Sequence, residues 1–349
     1  MKAPFVWFGG KRRVAPEVWA ALGDVPNYIE PFAGSLAVLL GRPHDMSNGT
    51  RRAETVNDAD GFLANFWRAL AHDPEAVAHW CDWPVNEVDL FARHLWLVNT
   101  GRSRLLEGME ADPDFYDAQV AGWWVWGVNA WIGSGWCSGD GPWVDTGDGI
   151  GKRPHLGDAG QGVNRQLPHL GNAGRGVNRK LPHLGNAGRA GYNNMEYRPN
   201  VLGYFEELAG RLRDVRVCCG DWSRVCTSGA MSYGSRVGVF LDPPYLGDVR
   251  TADLYAVDDH TIAHAVRDWC LEHGDDPRLR IVLAGYRAEH DDLMPDTWRR
   301  HYYSASAAYS TTESAARQDG NHANRANEVL WFSPHCVTPD RQGELWEAL

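Results

Sequence analysis

The chain has 349 residues, 44% hydrophobic and 23% charged, with a formal net charge of −11. That length allows two domains, or one domain with a large insertion, at roughly 100–200 residues per domain. No apolar run reaches the ~18 residues of a membrane span and MKAPFVWFGGKRR is not a secretory leader, so a non-membrane, cytoplasmic protein is expected; the acidic balance argues against one that coats nucleic acid without specificity.

In chain order, residues 25–35 (VPNYIEPFAGS) read as a strand entering a glycine turn, and LAVLL (36–40) as the first turns of a helix. AETVND (53–58) is a second strand ending on acid, and GFLANFWRAL (61–70) carries apolar residues at helical spacing. Strand, glycine turn, helix, strand, acid is the rhythm of a nucleotide-binding α/β unit. From about residue 73 to 215 the rhythm breaks. RVGVFLDPPY (236–245) then reads as a strand running into a rigid turn. HTIAHAVRDWCLEH (260–273) is an amphipathic helix, and RLRIVLAGY (278–286) and NEVLWFS (327–333) are further strands. The expectation is one α/β domain in two parts, 1–72 and 216–349, around an insertion at 73–215.

Seven cysteines form no CxxC pair, so neither a disulfide framework nor a zinc ribbon is expected, and a reducing compartment is. The insertion holds clustered tryptophans, of which Trp123, Trp126 and Trp131 fall roughly on one helical face. That suits packing onto the α/β domain, with base stacking by one exposed ring as the alternative. After it comes a 14-residue repeat in which His155, His169 and His183 recur. Lys152, Arg153, Arg165, Arg175, Arg179, Lys180 and Arg189 face only Asp158, so residues 152–191 carry +6 and the remainder −17. Such segregation fits contact with a phosphate backbone, or else a solvated surface arm. The histidines have no acid or thiol at ligand spacing, and no metal is expected.

The sharpest chemical signal is Asp242-Pro243-Pro244-Tyr245 at the end of an apolar strand, where open α/β sheets bind ligands. Two prolines remove two N–H donors and leave carbonyls to accept. An aspartate, a carbonyl and an aromatic ring can hold an exocyclic amino group and stack its base; a plain strand-ending turn is the bland alternative. Upstream, Trp7-Phe8-Gly9-Gly10-Lys11 precedes Glu30-Pro31-Phe32-Ala33-Gly34, and Asn57-Asp58 closes the second strand. In this order the motifs resemble the Dam-like D12 class of DNA adenine N6-methyltransferases. The stretch Asn324-Arg325-Ala326-Asn327-Glu328-Val329-Leu330-Trp331 is similar to a late strand of that family. The resemblance covers residues 1–72 and 216–349.

The resemblance implies a Rossmann-like methyltransferase fold with an inserted, mostly helical and loop-rich target-recognition region. It implies S-adenosylmethionine as cofactor and adenine N6 in double-stranded DNA as target, and it allows a cognate restriction enzyme. Trp7 and Lys11 would then face the methionine end of the cofactor. Glu30, Phe32 and Gly34 would line its cleft, Asp58 would accept from ribose hydroxyls, and Asp221 would lie near the adenine. Asp242, Pro243, Pro244 and Tyr245 would carry the transfer, and the basic residues of the repeat would touch DNA. One position departs: Leu36 stands where the family usually has a second glycine, and its side chain would crowd the cofactor pocket unless the turn is reshaped. N4-cytosine methylation, or a non-catalytic DNA-binding relative, are the alternatives.

Overall fold

The computed structural model describes residues 1–7, 10–43, 52–131, 136–137, 143–145, 150–152, 201–244, 259–303 and 328–338. They divide into two compact units. One comprises Trp7–Ala59 and Asp214–Leu349, the other Met1–Val6 and Asp60–Arg213.

The first unit is built on a seven-stranded sheet. In chain order its strands are β1 (Asn27–Glu30), β2 (Ala53–Asp58), β5 (Val215–Cys219), β6 (Val237–Leu241), β7 (Leu279–Tyr286), β8 (Arg299–Tyr303) and β9 (Glu328–Phe332). The spatial order is β5-β2-β1-β6-β7-β9-β8, with β9 antiparallel to both neighbours and all other pairings parallel. This mixed α/β arrangement is consistent with a methyltransferase fold. β1, β6 and β9 are buried at every position. Strands covered on both faces read as apolar runs, which is why VGVFL and the VLWF of β9 stand out in the sequence; NYIE is buried as fully, yet carries Asn27 and Glu30. Helix α1 (Ala15–Leu22) starts with proline in its first turn and stops at Gly23, whose φ of 63° no other residue adopts cheaply. The order of strands reverses between β1 and β6. In open α/β sheets the crevice beyond the carboxyl ends of such a pair is where ligands bind.

The second unit is helical. It contains α3 (Gly61–His72), α4 (Pro74–Cys81), α5 (Glu87–Trp96), α6 (Arg102–Ala111), α7 (Ala118–Ala130) and α8 (Val201–Leu212), with a π-helical turn at Leu97–Gly101 joining α5 to α6. Short side chains cap four of them: Asp60, Asp73, Asn86 and Asp117 each accept a backbone N–H of the first turn. The ribbon β3 (Trp143–Asp145) and β4 (Ile150–Lys152) is antiparallel. Aromatic side chains form the centre, with Phe5 against Phe66, Trp67 and Trp124 at ring separations of 5.5, 5.6 and 5.3 Å. Trp126 and Trp131 are buried, as their spacing indicates. Trp123 is only half-buried, and its neighbour Trp124 is the enclosed one. α7 is covered around most of its circumference, so a single packing face does not describe it. Trp123 instead packs on Trp80 and Trp96 of the same unit.

Candidate active site

At the carboxyl end of β1, Glu30 is buried, and its Oε2 accepts from the Tyr28 hydroxyl at 2.9 Å and the Leu39 N–H at 3.3 Å. Burial pushes its carboxyl up to about 8 despite those two donors. The chain then turns through Pro31–Ser35 into α2 (Ala37–Leu40). Gly34 has φ 48°, and a Cβ there would stand 3.0 Å from Cδ1 and 3.1 Å from Nε1 of Trp7, so a side chain is refused on two counts. Leu36 also takes the left-handed conformation, at φ 53° and ψ 28°. Its side chain is 0% exposed and enters the core, so the crowding expected of it does not arise. Left-handed backbone costs a non-glycine residue about 1–2 kcal/mol, which burying a leucine, at about 1.5–3 kcal/mol, offsets.

β2 ends in the pair that ties this turn down. Asp58 Oδ2 accepts the Gly34 N–H at 2.9 Å, and its carbonyl accepts the Gly220 N–H at 3.0 Å. Asn57 Nδ2 donates to the carbonyls of Pro31 and Gly220, and the Asn57 carbonyl accepts from Ala33. Three strand ends, those of β1, β2 and β5, are thereby stitched at one edge. Asp221 follows Gly220 and is exposed; its carboxylate caps the short turn Trp222–Val225 through the N–H and hydroxyl of Ser223. Beside it Phe32 stacks on Trp222 at 6.2 Å and 26°.

β6 delivers Asp242 to the same edge. Lys11, in the short turn Lys11–Arg13, is 5% exposed, and its Nζ lies 3.0 Å from Asp242 Oδ1 and 4.0 Å from Glu328 Oε2. Lys11 is therefore a buried, ion-paired ammonium. Asp242 keeps 20% of its side chain exposed. Burial raises the Glu328 carboxyl above its ordinary range, with Lys11 pulling the other way.

The structure therefore brings together Trp7, Gly34 and Asp58 on one hand and Lys11 and Asp242 on the other, with Glu30 bracing the turn and Phe32 and Asp221 flanking it. Pro243 is buried and Pro244 half-buried. Tyr245 lies outside the described residues, as do Arg153, Arg165, Arg175, Arg179, Lys180 and Arg189; Lys152 ends β4. Three contributors escaped the sequence reading. Tyr28 and Glu328 are legible only as parts of strands, and Asn57 only as the residue that precedes Asp58 in its motif. Their shared signal is a polar side chain at a buried position of a strand.

Residues 7–85 match the family model described as D12 class N6 adenine-specific DNA methyltransferase. The matched span holds Trp7, Lys11, Glu30, Phe32, Gly34 and Asp58, and shows the family resemblance over that stretch. No curated protein matches the chain. Among the described residues, no helix is long and apolar enough to cross a membrane.

Proposed function

We propose that this chain transfers a methyl group from S-adenosylmethionine to N6 of adenine within specific DNA sequences. The observation that carries the reading is the placement of Asp242: at the switch point of the sheet, held by Lys11 at 3.0 Å, yet still partly exposed. The family match supports DNA adenine as the target class.

The residues present fit the cofactor. Gly34 lets its backbone lie directly against the Trp7 indole, and the crevice edge combines carboxylates with aromatic rings. That set suits a cationic molecule carrying hydroxyls and a purine. S-adenosylmethionine, when bound, supplies an electrophilic methyl group. Asp58 would take its ribose hydroxyls, Asp221 and Phe32 its adenine, and Trp7 and Lys11 its methionine end. The target amino group is hidden in duplex DNA, so the base must be flipped into the crevice. Asp242 and the Pro243 carbonyl then accept from its N–H groups, which raises electron density on nitrogen, and Tyr245 stacks on the ring. Holding the two reactants in line is most of the catalysis, and no covalent enzyme intermediate is needed. The helical unit and the basic repeat that follows β4 form the target-recognition region, with the seven basic residues of 152–191 on phosphate.

The test is to incubate the purified protein with labelled S-adenosylmethionine and mixed-sequence duplex DNA, then identify the labelled nucleoside. N6-methyladenine is expected; label in N4-methylcytosine would move the target to cytosine, and no label in either would leave a binding protein. In the same assay Asp242→Ala should lower the rate about 10²–10³-fold with cofactor affinity unchanged by calorimetry.

A further inference from the structure

Lys11 has two carboxylates within reach, and they are anchored differently. Asp242, the near one at 3.0 Å, follows the last residue of β6 and is 20% exposed. Glu328, the far one at 4.0 Å, is 7% exposed and opens β9, where its backbone is held in register with Tyr286 of β7 on one side and Tyr303 of β8 on the other. One partner belongs to the crevice, the other to the interior of the sheet. In the reaction above, Asp242 must accept from the target amino group. A carboxylate already holding an ammonium is a poorer acceptor, and an ammonium at 5% exposure is strongly disfavoured without a counter-ion. Both demands are met if the ammonium changes hands.

We propose that Glu328 is a positioning residue for Lys11: a second counter-ion that takes over the ammonium when Asp242 turns its carboxylate to the substrate. The three groups then alternate between two pairings, Lys11 with Asp242 before the base arrives and Lys11 with Glu328 while it is bound. Lys11 needs to move about 1 Å toward Glu328, within the reach of its four-carbon stem.

A thermal-unfolding cycle on the full chain tests the redundancy without relying on methyltransferase activity. Asp242→Asn and Glu328→Gln should each lower Tm by less than about 3 °C, because one carboxylate remains. The double variant should lose roughly 6 °C or more beyond their sum, and adding Lys11→Met should restore most of that loss. Additive losses would overturn the proposal. If the double variant does not fold, a folded triple variant supports the handover and an unfolded one overturns it. The kinetic arm rests on the function proposed above. Glu328→Gln should lower kcat on the order of 10–100-fold with KM for DNA and cofactor within twofold, and Glu328→Asp should recover part of the loss. An unchanged kcat in Glu328→Gln would overturn the handover. A wild-type chain that methylates nothing would instead remove the functional reading, while the unfolding cycle still decides whether Lys11 has two interchangeable partners.

Discussion

The sheet unit and the helical unit both bury polar side chains, and they dispose of them in opposite ways. In the helical unit the polar groups close on one another locally. Asn65 and Asp117 exchange hydrogen bonds of 2.9 and 2.7 Å, and Asn129 donates to the Val125 carbonyl of its own helix. His94, which burial holds neutral with its ring pushed down to about 4, accepts the Cys137 N–H. Arg93 lies over the rings of Trp83, Trp123 and Trp126 at 5.2, 5.2 and 4.3 Å. In the sheet unit, Lys11, Glu30, Asn57, Asp58 and Glu328 are buried at one edge, where β1, β2 and β6 end and β9 begins. Burial of polar groups does not mark a site; their convergence on a ligand-binding edge does.

The comparison breaks most visibly if the helical interior proves dispensable. Trp126 is 1% exposed, covers the Arg93 guanidinium and donates through Nε1 to the Trp83 carbonyl at 2.9 Å. Trp126→Ala should therefore cost about 3–5 kcal/mol in denaturant unfolding, from the cavity and from the uncovered cation together. Affinity for S-adenosylmethionine in the still-folded variant should not change, since no group at the sheet edge is touched. A cost under about 1 kcal/mol would mean the tryptophan cluster is surface rather than core, and the base-stacking alternative would return.

How much of this was legible beforehand follows the same division. β1, β2, β6, β7 and β9 all lie inside stretches read as strands: β6, β7 and β9 because central strands are largely apolar on both faces, β1 and β2 because each runs into its motif, the glycine turn and the closing acid. β5 and β8 were not read. Both are sheet edges, and VRVCC and RRHYY carry half-buried and charged positions that mask the pattern. Motif residues such as Asp242 and Gly34 were readable because local backbone chemistry, a double proline or a tight turn, demands them. Glu328 was not readable as a site residue. Its role comes from meeting Lys11, which lies near the opposite end of the chain, and no local pattern encodes that. Leu36 shows the converse: local chemistry argued against it, and tertiary burial overrode the objection.

A sharper question is whether the edge residues serve a ligand or only one another. Asp58 is the discriminating position, since it both accepts the Gly34 N–H and is proposed to take ribose hydroxyls. Asp58→Ala should weaken S-adenosylmethionine by about 1.5–3 kcal/mol in calorimetry, as expected for hydrogen bonds to a charged group. Loss of the Gly34 tether adds a smaller cost in stability. If stability falls and cofactor affinity holds, Asp58 belongs with Asn65 and Asp117 as a structural clasp, and the distinction between the units fails at that point.

Glu30 gives the finest test, because it lies at the functional edge but touches only its own unit's framework. Its carboxyl is raised to about 8 in the folded chain, chiefly by burial, against an ordinary value of 4.5. A carboxyl raised on folding binds its proton more tightly in the native state. Its contribution is therefore fully present below about pH 4.5 and is lost as pH rises toward 8, where the buried group must finally ionise. Within that window the loss approaches about 1.4 kcal/mol per pH unit for a single group. Glu30→Gln keeps an oxygen for the Tyr28 hydroxyl and the Leu39 N–H but has nothing to titrate. The variant should thus gain on the wild type steadily between pH 5 and pH 8 in urea unfolding, with the two closest at the acid end. Parallel pH profiles would show that Glu30 is already ionised in the fold. The Tyr28 and Leu39 donors would then outweigh burial, and the edge would carry one more permanent negative charge beside Asp58 and Asp242.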